Sequence, residues 1–182
     1  MSKYELTNEC IQVCGRNLSR IRALKDFSDV KAGDLGGYVE SKGNLSQDGD
    51  AWAYGDARIY GDARVYGDAR VYGDAWIYGD AWVCGDARVC GDARVCDNAW
   101  VCGDARVCGD ADYICFQGFG SEYRHTTMFR AAGDTVRVSC GCFCGTLTEF
   151  IDRVKETHGD SKYAQEYLMC AELAKLHFGG ER

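Results

Sequence analysis

A six-residue repeat runs without interruption from Ala53 to Asp112 and constrains the fold more than any other feature of the sequence. Its unit reads V-Y-G-D-A-R, with an aliphatic residue at the first place and alanine four places later. A helix with 3.6 residues per turn cannot keep a six-residue pattern on one side, so the repeat is not helical. A short strand followed by a Gly-Asp corner in every hexad can keep it, because glycine accepts a positive φ angle. The repeat therefore predicts short strands joined by regular corners.

Strand geometry assigns each place in the hexad to one side of the coil. In a triplet such as Arg64-Val65-Tyr66, the alternation of a strand points the valine inward and its two neighbours outward. Three hexads close a triangular coil of 18 residues, so that residues 18 apart stack in successive coils about 4.8 Å apart. The sequence thus predicts a mainly β fold, a single-stranded parallel β-helix with three hexads per coil.

The sequence outside the repeat divides the chain into three parts. Residues 1–52 are predicted to form an N-terminal β cap and first coil, residues 53–112 the hexapeptide-repeat β-helix, and residues 113–182 a C-terminal module. Strand-forming stretches in the first part lie on either side of a Gly-Arg-Asn turn that begins at Gly15. These strands would cover the first coil, whose open edge would otherwise pair with other chains.

The C-terminal module is predicted to be a small α+β unit with the order ββαα. Its two strands lie on either side of a Gly133-Asp134 turn. The first helix begins at a capping box formed by Thr146 and Glu149, and it ends at Gly159. The second helix lies within SKYAQEYLMCAELAKLHF and has an apolar side that is expected to be buried. That side consists of Tyr163, Tyr167, Leu168, Cys170, Ala171, Ala174 and Phe178.

Several of these features resemble a known family. The hexads, in which a small residue follows an aliphatic one four places later, resemble the left-handed hexapeptide-repeat proteins. The motifs Leu35-Gly-Gly-Tyr and Leu45-Ser-Gln-Asp resemble the N-terminal segment of uncharacterised bacterial and prophage-borne β-helix proteins that are grouped with acyltransferases. This resemblance covers roughly Lys3 to Ala111, and the C-terminal module resembles one that follows such β-helices. It implies a left-handed coil, a homotrimer, and a phage or prophage origin.

Cysteine replaces tyrosine in the later hexads, always at the place that is predicted to face outward. The 18-residue register distributes these thiols over three sides of the coil, whereas a zinc site of four thiolates needs convergent ligands. We therefore interpret them as small surface residues. Stacked positions such as 90 and 108 suit a disulfide, but the sequence has no export signal, which predicts a cytoplasmic protein with reduced thiols. The residues are Cys84, Cys90, Cys96, Cys102 and Cys108.

Candidates for catalysis and metal binding lie in the C-terminal module. Hexapeptide-repeat acyltransferases use a histidine near the helix, so the resemblance makes His125 the candidate catalytic base. Cys140, Cys142 and Cys144 alternate along a predicted strand and form a weak candidate zinc site, because such residues lie about 6.6 Å apart in a straight strand. Packing thiols are the favoured interpretation. There is no phosphate-binding glycine loop and no G-x-S-x-G elbow, and no cofactor is predicted.

The outward rows of the repeat are rich in aromatic and arginine side chains, the types enriched at protein-binding hot spots. These rows are the predicted binding surface, although they could instead only stabilise the coil as ladders between neighbouring strands. The predicted binding residues are Trp52, Trp76, Trp82, Trp100, Tyr54, Tyr72, Arg70, Arg88 and Arg106.

Charge limits the possible partners. The formal net charge of −7 argues against direct binding to nucleic acid or to an anionic membrane. We predict a non-catalytic interaction protein that binds itself or another protein, as a homo-oligomer. One alternative is an acyltransferase with an acyl-CoA donor. Another is an acidic mimic of nucleic acid, because residues 53–112 contain eleven Asp against six Arg.

Overall fold

The computed structural model describes residues 2–179, a mainly β chain with two helices near its C-terminal end. Contacts divide the chain into two compact units, Met1–Asp110 and Ala111–Arg182. The first unit is a β-solenoid of about four turns. The second contains an antiparallel sheet and both helices.

The first unit opens with a long antiparallel hairpin. Strand β1 (Tyr4–Val13) pairs with β2 (Arg16–Ala23), and β2 pairs with β3 (Leu35–Val39). The turn lies one residue earlier than predicted, at Cys14 and Gly15, with φ angles of 51° and 77°. Two-residue turns with positive φ match the twist of the flanking strands, which lets both strands continue up to the turn.

Every hexad contributes one two-residue strand to the solenoid. The second residue of each strand is almost completely buried, and so is the alanine that precedes the strand, as the hexad pattern predicts. The strands are β4 (Trp52–Ala53), β5 (Arg58–Ile59), β6 (Arg64–Val65), β7 (Arg70–Val71), β8 (Trp76–Ile77), β9 (Trp82–Val83), β10 (Arg88–Val89), β11 (Arg94–Val95), β12 (Trp100–Val101) and β13 (Arg106–Val107).

Parallel pairing of residues 18 apart joins these strands into three sheets. Val89, for example, pairs with Val71 on one side and with Val107 on the other. We name the sheets by their distinguishing features. The hairpin face contains β3, β5, β8 and β11 and is extended by the β1–β2 hairpin; the disulfide face contains β4, β7, β10 and β13; the tryptophan face contains β6, β9 and β12.

Buried polar side chains close the first turn of the solenoid. Lys3 is fully buried, and its ammonium donates a hydrogen bond to the Ala51 carbonyl at 2.8 Å. The side-chain amide of Asn44, 2% exposed, donates to the carbonyls of Gly61 (2.8 Å) and Ala63 (3.0 Å). Buried carbonyls need such partners, and at the end of a solenoid no preceding turn supplies them. Residues before the repeat therefore supply hydrogen-bond donors at this end of the solenoid.

The second unit contains a four-stranded antiparallel sheet, so the prediction of only two strands is wrong. Its order is β14 (Tyr113–Phe116), β15 (Thr126–Ala131), β16 (Thr135–Cys140) and β17 (Phe143–Thr146). The predicted pair forms the centre of the sheet, and both outer strands were missed. Each outer strand has only four residues, and Gly145 lowers the strand propensity of the last one.

Two helices follow the sheet directly. Helix α1 (Leu147–His158) begins at the predicted capping box, in which the Thr146 hydroxyl accepts from the Glu149 amide and the Glu149 carboxylate accepts from the Thr146 amide. It ends at Gly159, also as predicted. Helix α2 (Lys162–Gly179) is the second. No helix within residues 2–179 is long and apolar enough to span a membrane.

The sheet and both helices share one apolar core. Tyr163 was predicted to lie on the buried side of α2 but is 37% exposed. The next residue, Ala164, is buried instead. Successive residues of a helix point about 100° apart, so the buried side of α2 begins at Ala164 and not at Tyr163. The core contains Met128, Val138, Phe150, Val154, Ala164, Tyr167, Cys170, Ala174 and Phe178.

Candidate functional site

Side chains at the tyrosine place of the hexad stack between successive turns. The rings of Tyr54 and Tyr72 lie 4.6 Å apart between centroids, and those of Tyr60 and Tyr78 lie 5.3 Å apart, with nearly parallel planes in both pairs. The prediction that this place always faces solvent is wrong, because Tyr60 is only 7% exposed. The ring of Trp76 packs edge-on against it at 6.2 Å.

Part of the predicted binding surface is covered by the chain itself. Trp52 was expected to face solvent but is 1% exposed. The rings of Tyr4 and Phe27 pack edge-on against it, with centroid distances of 6.0 and 5.3 Å. The Tyr54 hydroxyl donates to the Asp29 carboxylate at 2.8 Å. The segment between β2 and β3 thus covers the start of the disulfide face.

Further predicted binding residues also have partners within the first unit. Arg70 donates to the Ser28 hydroxyl at 2.7 Å. The ring of Trp76 has the guanidinium groups of Arg58 and Arg94 over it, 5.0 and 5.6 Å from its centroid. These contacts are ladders of the kind that stabilise neighbouring strands.

Two arginines of the disulfide face differ in their exposure. Arg88 is exposed, whereas Arg106 is half-buried and donates to the backbone carbonyls of Asp86, Asp104 and Ala105 at 2.9–3.2 Å. The backbone contacts orient the Arg106 side chain along the corner of the coil. Arg88 is therefore the more accessible cation on this face.

The tryptophan face presents two large exposed rings. Trp82 and Trp100 are 38% and 36% exposed, and they meet edge-on with centroids 5.9 Å apart. The Arg64 guanidinium lies 5.6 Å from the Trp82 ring, and Tyr66 packs edge-on against that ring at 5.8 Å. A cavity of about 380 Å³ opens beside Arg64, Tyr66 and Trp82. This face therefore combines exposed aromatic rings with a shallow recess.

Corner aspartates flank the tryptophan face on both sides. They follow from the repeat, because β6 and β9 each lie between two Gly-Asp corners, whereas β12 lies between the Asp97-Asn98 corner and a Gly-Asp corner. Aromatic rings attract cations, and carboxylates at the edge of the face add to that attraction. The arrangement suits a cationic side chain that reaches an aromatic ring. The flanking residues are Asp62, Asp80 and Asp97 before the strands, and Asp68, Asp86 and Asp104 after them.

Cysteines stack in pairs on two of the faces. Cys90 and Cys108 form a disulfide with their Cα atoms 4.4 Å apart, so the expectation of reduced surface thiols is wrong for this pair. The 18-residue register places these residues within bonding distance. Cys84 and Cys102, thiols on the tryptophan face, are 9% and 7% exposed and so are also not surface residues. The indole of Trp100 donates to the Cys84 sulfur at 3.5 Å.

The second unit has a cavity of about 440 Å³ beside its apolar core. The floor is aromatic, since the His158 and Tyr167 rings lie 5.6 Å apart with an interplanar angle of 29°, and Phe150 meets Tyr167 edge-on at 5.7 Å. Burial raises the pKa of Tyr167 to about 12. Arg124 and Arg153 also line the cavity. Glu122 lines it too and lies 3.8 Å from Arg124, so the aromatic floor has charged groups of both signs beside it.

The three candidate zinc-binding cysteines do not form the predicted row. Cys140 ends β16 and Cys144 belongs to β17, with a tight turn at Gly141 and Cys142 between them. Gly141 has a φ of 58°, which allows the chain to reverse where the alternating pattern predicted a continuous strand. Within residues 2–179, no three His, Cys, Asp or Glu side chains are arranged to hold a metal ion.

The candidate catalytic histidine does not line the cavity beside the apolar core. His125 is half-buried directly before β15, whereas the histidine that lines the cavity is His158, in the last turn of α1. Sequence reasoning selected His125 because it follows the repeat. It missed His158 because a histidine in a last helical turn is common for helix capping alone. A catalytic role for His125 stays a prediction.

Comparison with known proteins supports the architecture. Residues 57–71, 69–85 and 87–103 each match the family model of the YdcK beta solenoid repeat. The chain is a β-solenoid protein. Each of the three matched stretches contains one strand of the tryptophan face, so that face lies within the recognised repeats. No curated protein matches the chain.

Proposed function

We propose that this chain is a non-catalytic interaction protein whose tryptophan face binds a protein segment that carries arginine or lysine. The observation that carries the proposal is the exposure of Trp82 and Trp100, 38% and 36%, next to each other on one sheet. Tryptophan is the residue type most enriched at binding hot spots. A contiguous exposed aromatic surface is also uncommon on a soluble monomer.

The chemistry of the face defines the partner. A guanidinium or ammonium group binds best over a tryptophan ring, and Arg64 already occupies such a position 5.6 Å from the Trp82 ring. The flanking corner aspartates would pair with further basic residues of the partner. Exposed ion pairs contribute little individually, so the aromatic rings supply most of the affinity and the aspartates supply selectivity for basic segments.

A second copy of the same chain offers matching chemistry. Arg88 is an exposed cation on the disulfide face and belongs to a different surface from Trp82 and Trp100. A contact between the tryptophan face of one copy and the disulfide face of the next would be heterologous, and such contacts form a ring where the rotation between copies closes and a filament where it does not. This is consistent with the homotrimer implied by the family resemblance. Binding to a different protein is the main proposal, and self-association is an outcome of its test.

The proposal also includes the handedness of the coil, the number of hexads per turn, and the location and origin of the protein. We infer a left-handed coil with three hexads per turn, which the 18-residue pairing and the resemblance to hexapeptide-repeat proteins support. We also infer a cytoplasmic location, a phage or prophage origin, and no direct binding to nucleic acid or membrane. The net charge of −7 supports the last point.

A peptide-display selection tests the binding proposal. Random peptides are selected on the wild-type protein and on the Trp82→Ala/Trp100→Ala variant, with Arg88→Ala as a matched exposed substitution on another face. We expect wild type and Arg88→Ala to enrich the same arginine- or lysine-rich peptides, and the double variant to lose them. Enrichment that persists in the folded double variant contradicts the proposal. Sedimentation of the three proteins shows whether the same face mediates self-association.

Each of the two alternatives has its own discriminating result. An acyltransferase would transfer an acetyl group from acetyl-CoA, and His125→Ala would abolish the transfer without unfolding the protein. An acidic nucleic-acid mimic would enrich basic peptides equally well without Trp82 and Trp100, because its aspartates would be the recognised feature. The selection above therefore separates aromatic recognition from charge alone.

A further inference from the structure

Two cysteines of the tryptophan face lie directly above one another in successive turns. Strand β9 pairs with β12 in parallel register, and the Cys84 amide donates to the Val101 carbonyl at 3.0 Å. Cys84 and Cys102 each follow these strands, so they occupy stacked places. Cys90 and Cys108 have the same relation on the disulfide face, where they are bonded with Cα atoms 4.4 Å apart. The register therefore brings Cys84 and Cys102 within reach of a disulfide.

The surroundings of Cys84 favour its thiolate. A hydrogen bond from the Cys102 thiol lowers the pKa of Cys84 to about 6; hydrogen bonds from Tyr66 and Trp100 act in the same direction, and burial opposes them. The thiolate is the form of cysteine that reacts with oxidants. Both thiols are less than one-tenth exposed, at 9% and 7%, so only a small reagent reaches them easily.

We propose that Cys84 and Cys102 form a peroxide-reactive dithiol, in which Cys84 is oxidised first and Cys102 completes a reversible disulfide. The oxidant class is a hydroperoxide, of which hydrogen peroxide is the smallest member. Three observations carry the proposal: the stacked register, the polar contacts around the Cys84 sulfur, and the bonded pair at the equivalent places on the next face. It does not depend on the binding function proposed above.

The chemistry balances in two steps. The Cys84 thiolate attacks one peroxide oxygen, so that an S–O bond forms, the O–O bond breaks, and the departing hydroxide takes up a proton to become water. Cys84 is then a sulfenic acid. The Cys102 thiol loses its proton, and its sulfur attacks the Cys84 sulfur, forming the S–S bond and releasing the oxygen as a second water. Two thiols and one hydrogen peroxide thus give one disulfide and two waters.

Cys96 provides an internal control. It occupies the same place of the hexad on the hairpin face, but the residue 18 positions before it is Tyr78 instead of a cysteine. Cys96 is half-buried, which makes it no less accessible than Cys84. If accessibility alone decided oxidation, Cys96 would react at least as fast. Under the proposal, Cys84 reacts faster and only Cys84 becomes linked to Cys102.

Peptide mass spectrometry after peroxide treatment is the direct test. The reduced native protein is treated with equimolar hydrogen peroxide, quenched by alkylation in denaturant and digested with trypsin. Cys84 lies in the tryptic peptide 71–88, and Cys102 lies in the peptide 95–106 together with Cys96. The experiment is therefore repeated in Cys96→Ser, where a link between the two peptides can only involve Cys102. We expect the linked peptides in both proteins, formed within one chain.

Single serine variants distinguish the cysteine that peroxide oxidises first from the cysteine that completes the disulfide. Cys102→Ser is expected to stop at the Cys84 sulfenic acid, which dimedone traps, whereas Cys84→Ser is expected to leave Cys102 reduced. Circular dichroism shows that each variant is folded; if a serine variant does not fold, alanine replaces the same cysteine. The proposal is overturned if the linked peptides do not form, if they form only between two chains, or if Cys96 oxidises as fast as Cys84.

Discussion

Glycine occupies the corners of the hexads for two separate reasons. Gly85 has a φ of 68°, which L-residues rarely adopt, and a Cβ atom there would lie 2.9 Å from the Gly103 nitrogen in the next turn. Asp97 replaces glycine at one corner and has a φ of 58°. It lies in the last turn, where no further hexad stacks on it, and aspartate tolerates positive φ better than most residues. The need for glycine thus comes partly from the turn above.

Two alanine substitutions distinguish the effect of positive φ from the effect of close approach by the next turn. Gly55→Ala and Gly85→Ala both place a side chain at positive φ, which costs about 1–2 kcal/mol. At Gly55 the nearest backbone atom would lie 3.5 Å from the new Cβ, against 2.9 Å at Gly85. We expect Gly85→Ala to lower the free energy of unfolding in urea by about 1–3 kcal/mol more than Gly55→Ala does. Equal losses of unfolding free energy in the two variants would contradict the expectation that the next turn restricts the side chain at position 85.

Lys3 predicts a pH dependence of stability. Burial lowers the pKa of its ammonium to about 8 from an ordinary value of 10.5. Between these pH values the unfolded chain binds more protons than the folded chain, so the penalty for the buried charge disappears as the pH rises. We expect wild type to gain stability relative to Lys3→Met between pH 8 and 10.5, measured by urea unfolding. The exposed substitution Lys42→Met is the control, and a constant difference for Lys3→Met would contradict the expectation.

At the scale of elements, the inward and corner places of the hexad could be interpreted from sequence because each of them has one structural role. Val83 and the alanines on either side of it are buried in the interior, and the corner glycines from Gly55 to Gly103 have positive φ. The capping box at Thr146 was predictable for the same reason, since its pattern is local. The turn at Cys142 was not, because a cysteine in a two-residue turn continues the apparent alternation of a strand.

Insertion of repeat units tests the element-scale interpretation. A duplicate of residues 75–80, placed after Asp80, keeps every later residue at its own place in the hexad and only moves it to the next face. We expect this protein to fold and to melt cooperatively by circular dichroism. An insertion of three residues at the same point moves corners into strands and turns inward residues outward, so we expect it to prevent folding of the solenoid. Equal tolerance of both insertions would contradict the hexad interpretation.

At the scale of the whole molecule, sequence reasoning could not rank the predicted binding residues. All of them occupy places that the hexad pattern predicts to face outward, and what distinguishes them is contact with distant parts of the chain. Phe27 covers Trp52, and Asp29 binds Tyr54, although 25 residues separate each pair. No local sequence pattern predicts that a distant segment will bury a residue of the solenoid. Trp82 is exposed because the hairpin and the segment after it lie against the other two faces.

Hydroxyl-radical footprinting tests most directly whether the tryptophan face is the binding surface. The wild-type protein is oxidised alone and with a saturating amount of a selected basic peptide, and each residue is quantified by mass spectrometry. Tyr123, 68% exposed in the second unit, reports on surface outside the face. We expect the peptide to slow oxidation of Trp82 and Trp100 and to leave Tyr123 unchanged. Full oxidation of both tryptophans at saturating peptide would contradict the account.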